Sequence, residues 1–218
     1  MAEAAKKNTV TKIPGNKTLP KSEGKQAQKT RATREKIIAS VIALITEGGF
    51  AAASSSEITK HSGYTWGAVQ HHFGGKEEIL AAIMDMSHER FTALTNVSDL
   101  REGSLADRVD QFVDRMWEHY QSELFLAATE ISLATRAKSN STEIMARVDR
   151  QSQEHLKTMQ EVFGDGEVSD DELLESLVFT HRFLVGLSVD QALEPSMPYV
   201  DKNLRRIKLV LLTMLSAI

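Results

Sequence analysis

Residues 54–73 read SSSEITKHSGYTWGAVQHHF, and this stretch predicts two short helices joined at a tight corner. Ser54 and Glu57 have the S-x-x-E spacing of a capping box, in which each side chain pairs with a backbone N–H group at the helix N-terminus. Gly63 lies where the chain must turn with positive φ, which glycine adopts at little steric cost. Thr65 is placed to cap the second helix. The pattern indicates a helix-turn-helix, the arrangement that inserts one helix into the major groove of DNA.

The spacing of apolar residues divides this stretch into an inward and an outward side. Val69 and Phe73 lie four residues apart on one side of the second helix, where they can pack against Ile58 of the first. The outward side is left with an aromatic ring, a glycine, an amide and an imidazole, which suit contacts with base edges and phosphates. These residues are Trp66, Gly67, Gln70 and His71. An ordinary surface helix hairpin is the alternative.

Motifs on both sides of this stretch make the pattern more specific. They are Thr33-Arg34, Ile37-Ile38, Gly48-Gly49-Phe50, Glu57-Ile58, Gly63, Gly67, His71-His72-Phe73, Lys76-Glu77 and Leu80. With this spacing, residues 33–80 resemble the N-terminal domain of the tetracycline-repressor (TetR) family of regulators. The resemblance implies an all-α protein, with an N-terminal three-helix DNA-binding domain followed by a larger helical effector-binding and dimerisation domain. Gln70 departs from the family pattern, which commonly has a DNA-contacting tyrosine there, and Ala53 stands where the family often has threonine.

The predicted DNA contacts extend beyond the helix pair. Lys76 begins the next predicted helix, where its ammonium group and the backbone N–H groups of the helix N-terminus can bind a phosphate. A solvated surface charge is the alternative for Lys76. The full predicted DNA-binding set is Ser54, Ser55, Thr65, Trp66, Gly67, Gln70, His71, Lys76 and Arg31. The predicted domains are a disordered basic arm over 1–30, the helix-turn-helix domain over 31–78, and a ligand-binding and dimerisation domain over 79–218.

Charge is distributed unevenly along the chain. The net charge is −4, yet residues 1–31 carry seven lysines and one arginine against two glutamates. This arm lacks hydrophobic periodicity, which predicts disorder in the free protein. Its basic side chains can follow phosphates or enter a minor groove, and a solubilising tail is the alternative. They are Lys6, Lys7, Lys12, Lys17, Lys21, Lys25, Lys29 and Arg31.

Composition argues against several other classes of protein. The chain has no cysteine, which excludes disulfides and thiolate metal sites and suits the cytoplasm that we predict for it. No apolar run approaches the ~20 residues of a membrane span. The sequence holds no P-loop, no G-x-S-x-G and no dinucleotide fingerprint, so we predict neither an enzyme nor a cofactor.

His71 and His72 point ~100° apart on a helix and cannot readily chelate a metal together. Glu130 and His181 would form an acid–base pair only if the fold brought their side chains into contact.

The C-terminal two-thirds of the chain predicts longer helices. They cover about 106–120, 124–136, 144–163, 173–193 and 201–217, with a turn at Asp165-Gly166. The last two are too apolar for the surface of a monomer, which predicts a homodimer interface. A two-fold dimer places its recognition helices ~34 Å apart, so the expected partner is double-stranded DNA with a palindromic operator.

The resemblance also implies a small-molecule effector in a cavity among the middle helices. Aromatic and methionine residues with few polar groups favour a mainly apolar effector, with core packing as the alternative. The predicted lining residues are Phe112, Met116, Trp117, Tyr120, Phe125, Glu130, His181 and Phe183. The predicted function is a ligand-responsive transcriptional repressor that releases its operator when the effector binds. A transcriptional activator, a helical enzyme and a protein-interaction module are the alternatives.

Overall fold

The computed structural model describes residues 24–137, 153–164 and 168–216. Within these ranges the chain forms nine α-helices and no strand, so the all-α prediction is confirmed. The helices are α1 (Lys25–Gly48), α2 (Ser55–Ser62), α3 (Trp66–Phe73), α4 (Lys76–Thr95), α5 (Leu105–Tyr120), α6 (Glu123–Thr135), α7 (153–163), α8 (Asp170–Leu193) and α9 (Val200–Leu215). No described helix is both long enough and apolar enough to cross a bilayer.

Several predictions fall on residues outside the described ranges. They are the five lysines between Lys6 and Lys21, the first part of the helix predicted over 144–163, the turn at Asp165-Gly166, and the end of the last helix at Ala217.

Helix α1 begins earlier than the sequence pattern predicts. The disordered arm was expected to reach residue 30, but the chain is helical from Lys25 onward. Residues 25–31 read KQAQKTR, which contains neither glycine nor proline and is rich in good helix formers. Adding such residues to an existing helix is far easier than nucleating a new one, because propagation fixes one residue for each hydrogen bond gained. The prediction of disorder is therefore wrong for residues 25–30.

The corner between α2 and α3 has the predicted caps. Ser54 Oγ accepts from Glu57 N at 3.2 Å, and Thr65 Oγ1 accepts from Ala68 N at 3.3 Å. Gly63 has φ of 74°, in the left-handed region. The reciprocal half of the capping box does not form, because Ser54 N donates to Ala52 O at 2.8 Å. The Glu57 carboxylate lies instead 3.6 Å from Lys60 Nζ.

Two clusters of buried apolar side chains form the core. The first joins α1, α2, α3 and the N-terminal half of α4, and its members include Ile37, Ile58, Val69 and Ile83. Helix α6 also enters this cluster, through the buried side chains of Ala127 and Ile131. The second cluster joins the C-terminal half of α4 with α5, α7, α8 and α9. Helices α4 and α6 therefore connect the N-terminal helices to the rest of the molecule.

Candidate DNA-binding surface and ligand pocket

Helix α3 is anchored through one side and exposed on the other. Val69 is fully buried in the first core cluster, and Phe73 packs against the same cluster. Gln70 and His71 are exposed, as is Gly67. Trp66 differs from the prediction, because it is half-buried and packs against the first core cluster instead of pointing fully outward. Three of the four residues predicted on the outward side of α3 are therefore free to meet a partner.

Helix α3 is fastened to α1 by polar contacts at both of its ends. The Arg34 side chain donates a hydrogen bond to the carbonyl of His72, and its guanidinium lies 4.0 Å from the centroid of the Phe73 ring. Just before α3, the Tyr64 hydroxyl lies 3.5 Å from Thr33 Oγ1. Since these contacts join the two helices directly, the pose of α3 is fixed relative to α1.

The remaining predicted DNA-binding residues flank α3. Ser54 and Ser55 are exposed at the start of α2. Lys76 is the first residue of α4, and its Nζ lies 4.8 Å from the centroid of the Phe50 ring. Arg31 is exposed on α1, with Nε 3.5 Å from Glu35 Oε1.

Helix α6 makes a specific polar contact with the N-terminal helices. Glu130 Oε2 accepts a hydrogen bond from Phe50 N at 3.0 Å. Phe50 begins the short 3-10 turn that leads from α1 to α2. The prediction that Glu130 lines the ligand cavity is therefore corrected, because its carboxylate is turned toward the N-terminal helices. Glu130 and His181 do not form the acid–base pair considered from the sequence, since His181 Nδ1 lies 2.5 Å from the Tyr120 hydroxyl.

A pocket of about 350 Å³ opens among α4, α5, α6, α7 and α8. Aromatic and imidazole rings dominate its lining, and they come from five different helices. Of the predicted lining residues, Tyr120, Phe125 and His181 lie at this pocket. The ring-bearing residues of its wall include Phe91, His119, Tyr120, Phe125, His155 and His181.

Four other predicted lining residues belong to the second core cluster. Phe112, Met116 and Trp117 are buried there, and Phe183 packs against its side. Phe112 meets Phe163 of α7 edge-on, with ring centroids 5.2 Å apart. These side chains fill the space between packed helices, so they are corrected from cavity lining to core packing.

The N-terminal helices match a known protein family. Residues 37–83 match the family model described as bacterial regulatory proteins, tetR family. The N-terminal region of the chain is therefore similar to that of TetR-family regulators. This match covers α2, α3 and their corner completely, together with the C-terminal half of α1 and the first turns of α4.

Individual proteins that are similar to this chain are named as HTH-type transcriptional regulators. An uncharacterized HTH-type transcriptional regulator of Mycobacterium tuberculosis is 31% identical over 100 residues, which cover 45% of this chain and 50% of the relative. The HTH-type transcriptional regulator CymR of Pseudomonas putida is 25% identical over 109 residues, which cover 50% of this chain and 54% of CymR. The chain thus spans about half the length of the curated relatives it matches.

Solved structures share the fold over a larger part of the chain. A transcriptional regulator from Rhodococcus sp. Rha1 superposes with a TM-score of 0.64 at 20% identity, covering 84% of this chain and 95% of that one. The fatty acid degradation regulator FadR from Bacillus halodurans gives a TM-score of 0.63 at 15% identity, covering 83% of this chain and 94% of that one. At these identities the likeness establishes a common fold.

Sequence reasoning missed four ring-bearing residues of the pocket. His88 and Phe91 lie three residues apart on α4, His119 precedes Tyr120 on α5, and His155 lies on α7. The i, i+3 spacing of His88 and Phe91 places them on one side of their helix, which was the available signal. Nothing in the local sequence of α7 indicates that His155 approaches α4 and α5.

Burial holds His119, His155 and His181 of the pocket in the neutral state. Burial lowers the pKa of His119 to about 4, with smaller contributions from the nearby Arg90, His181 and His88. Burial likewise lowers the pKa of His155 to about 4. The same effect raises the pKa of Tyr120, so its hydroxyl keeps its proton, and it lies within hydrogen-bond distance of His181 Nδ1. The pocket therefore offers uncharged hydrogen-bonding groups at pH 7.

These shifted pKa values predict acid sensitivity of the fold. The unfolded chain protonates His119 and His155 near pH 6.5, whereas the folded protein does so only near pH 4. The unfolded state therefore binds more protons in this range, so the free energy of unfolding should fall as the pH drops from about 6.5 to about 4. Each fully shifted histidine contributes a slope of up to about 1.4 kcal/mol per pH unit, and the half-buried His155 contributes less.

Urea unfolding of the wild-type protein and His119→Phe at pH 5, 6 and 7 measures this slope. In the variant, the number of protons taken up on unfolding should be smaller by about one than in the wild-type protein. Exposed carboxylates titrate alike in both proteins, so the difference between the two slopes isolates His119. Equal slopes would show that His119 is not a shifted group.

Proposed function

We propose that this protein is a ligand-responsive, sequence-specific transcriptional repressor that binds a palindromic operator as a homodimer. The observation that carries the proposal is the pose of α3, which is buried along Val69 and exposed at Gly67, Gln70 and His71. A short helix that is anchored on one side and free on the other can enter a major groove. Access to DNA places such a protein in the cytoplasm.

Exposed apolar side chains on α8 and α9 support a homodimer. Phe179, Leu209 and Val210 keep 45%, 64% and 40% of their surface exposed. Large apolar groups on the last two helices favour burial against a second copy of the chain, because a two-fold contact uses the same surface twice. Most other leucines of α8 fill the molecule's own core, including Leu173, which is 1% exposed. The proposed interface is therefore smaller than the apolar content of the two helices suggests.

Coupling between pocket and operator is proposed to run through α4 and α6. Both helices contribute side chains to the pocket wall and to the first core cluster. A ligand that fits the pocket better in one pose of these helices shifts the protein toward that pose. For repression, the favoured pose must bind the operator more weakly, typically by about 1–3 kcal/mol of coupling free energy.

Gln70 is the proposed reader of base identity on α3. Its exposed amide can make the bidentate contact that distinguishes adenine in the major groove. We expect Gln70→Ala to weaken operator binding by about 1–3 kcal/mol while leaving binding to random DNA nearly unchanged. Fluorescence anisotropy with an operator duplex and a scrambled duplex measures both. An equal loss on the two duplexes would refute the reading role of Gln70.

Lys76 is the proposed phosphate contact. Its ammonium group lies beside the Phe50 ring at the N-terminus of α4, where backbone N–H groups also favour an anion. We expect Lys76→Ala to weaken binding to operator and random DNA alike, and to lower the slope of log affinity against log salt by about 1. Lys157→Ala is the matched control, because this exposed lysine lies on α7. An unchanged salt slope in Lys76→Ala would assign Lys76 a structural role.

A further inference from the structure

We propose that the pocket binds a planar aromatic molecule whose hydroxyl or carbonyl group forms an uncharged hydrogen bond with His119. This inference rests on the proposed function, because it assigns a chemical class to the effector of that same pocket. It goes beyond a mainly apolar effector in requiring both an aromatic ring and one polar group.

The arrangement of rings in the pocket supports the aromatic part of the proposal. The ring of Phe125 meets His119 and Tyr120 edge-on, with centroids 5.2 and 4.7 Å away. Phe91 meets His119 at 5.5 Å and His155 at 5.0 Å, again in edge-on geometry. Rings that already pack edge to face leave other faces and edges for a further ring, and each such aromatic contact contributes about 0.5–1.5 kcal/mol.

The buried imidazoles support the polar part of the proposal. His119 is only 3% exposed, and its Nδ1 has no hydrogen-bond partner among the described residues. Nε2 of His155, whose ring also packs against Phe91, likewise has no hydrogen-bond partner among the described residues. Leaving a buried polar atom unpaired is costly, so a ligand group that pairs with it gains affinity. A neutral imidazole donates from one nitrogen and accepts at the other, which suits a hydroxyl or a carbonyl.

The charges around the pocket disfavour an anionic ligand. Among the residues that the structure describes, the pocket lining contains no Asp, Glu, Lys or Arg. The groups that face His119 and His155 from neighbouring helices are Arg90 and His88 on α4, Glu154 on α7, and His181 on α8. A carboxylate would bind well only after protonation of an imidazole. With a pKa of about 4 for His119, that protonated form is about a thousandfold rarer than the neutral form at pH 7.

Three matched probes test the proposal by calorimetric titration of the full-length protein at pH 7. They are 2-naphthol, naphthalene and 2-naphthoate, which share one ring system and differ in their polar group. We expect 2-naphthol to bind at least about tenfold more tightly than naphthalene, the effect of one gained hydrogen bond. We expect 2-naphthoate to bind more weakly than 2-naphthol. In His119→Phe the advantage of 2-naphthol should disappear, while naphthalene should bind within about threefold of its wild-type affinity.

Three results would overturn the proposal. One is equal binding of 2-naphthol and naphthalene to the wild-type protein. Another is tightest binding of 2-naphthoate, with a tenfold loss per unit of rising pH, which would indicate an anion paired with protonated histidine. The third is an absence of binding by all three probes up to about 1 mM.

Controls separate this inference from the proposed function. Circular dichroism and operator binding check the fold of His119→Phe, and His119→Leu provides the same comparison if the first variant does not fold. Operator selection is performed without any ligand, so it succeeds or fails independently of the probes. If none of the probes binds while operator binding is intact, the proposed ligand class is rejected and the proposed function is not.

Discussion

Replacing Gly67 with leucine should leave the protein folded and lower its affinity for operator DNA by at least about a hundredfold, or about 2.8 kcal/mol. Gly67 is the second residue of α3, and a Cβ added there would have no heavy atom within 4 Å apart from its chain neighbours and the backbone of its own helix. Packing of the free protein therefore does not require glycine. Glycine inside a helix even costs about 0.5–1 kcal/mol relative to alanine. A DNA backbone or base edge that approaches α3 closely gives a reason for its presence.

The measurement pairs urea unfolding with fluorescence anisotropy on an operator duplex. Gly67→Leu should be at least as stable as the wild-type protein, and Gly67→Ala should show a smaller loss of affinity. Ala106→Leu is the matched control, because Ala106 is the second residue of α5 and equally exposed. Wild-type operator affinity in Gly67→Leu would place the DNA contact somewhere other than α3.

Replacing Glu130 with alanine should separate ligand binding from operator release. The Glu130 carboxylate accepts from Phe50 N at 3.0 Å and thereby joins α6 to the turn between α1 and α2. Its removal leaves a part-buried N–H group without this partner, at a cost of about 1–3 kcal/mol in stability. Because α6 also lines the pocket, we expect the ligand-dependent change in operator affinity to shrink at least about fivefold, equal to about 1 kcal/mol of coupling.

The measurement is operator affinity with and without saturating ligand, for three variants. Glu130→Gln keeps an oxygen that can accept from Phe50 N, so it should retain most of the ligand response. Glu123→Ala removes an exposed carboxylate from the first turn of the same helix and should behave as the wild-type protein does. Full ligand response in Glu130→Ala would mean that coupling does not depend on this hydrogen bond.

The sequence predicted well those features that depend on neighbouring residues. The caps at Ser54 and Thr65 and the left-handed corner at Gly63 each involve groups within four residues of one another. Helix caps and left-handed corners are recognisable in the sequence, because each needs a particular side chain at a particular backbone position. The family resemblance added the three-helix arrangement, and the match over residues 37–83 agrees with it.

Features that join distant parts of the chain were not predictable in this way. Glu130 and Phe50 are 80 residues apart, and no local pattern indicates that they meet. The same is true of His119 and His155, whose rings both pack against Phe91 although they lie on different helices. Buried aromatic residues raised a different difficulty. Phe112 in the core and Phe125 at the pocket have similar sequence surroundings, and only the packed structure separates them.

The most direct test of sequence-specific DNA binding is selection from a random-sequence DNA pool. Purified protein is mixed with the pool at about 0.15 M salt, and the bound DNA is sequenced over successive rounds. The account predicts enrichment of a palindromic site whose half-sites lie about one helical turn apart. If DNA is retained but no sequence is enriched, electrostatic attraction alone explains the binding. That result would contradict the role proposed for α3.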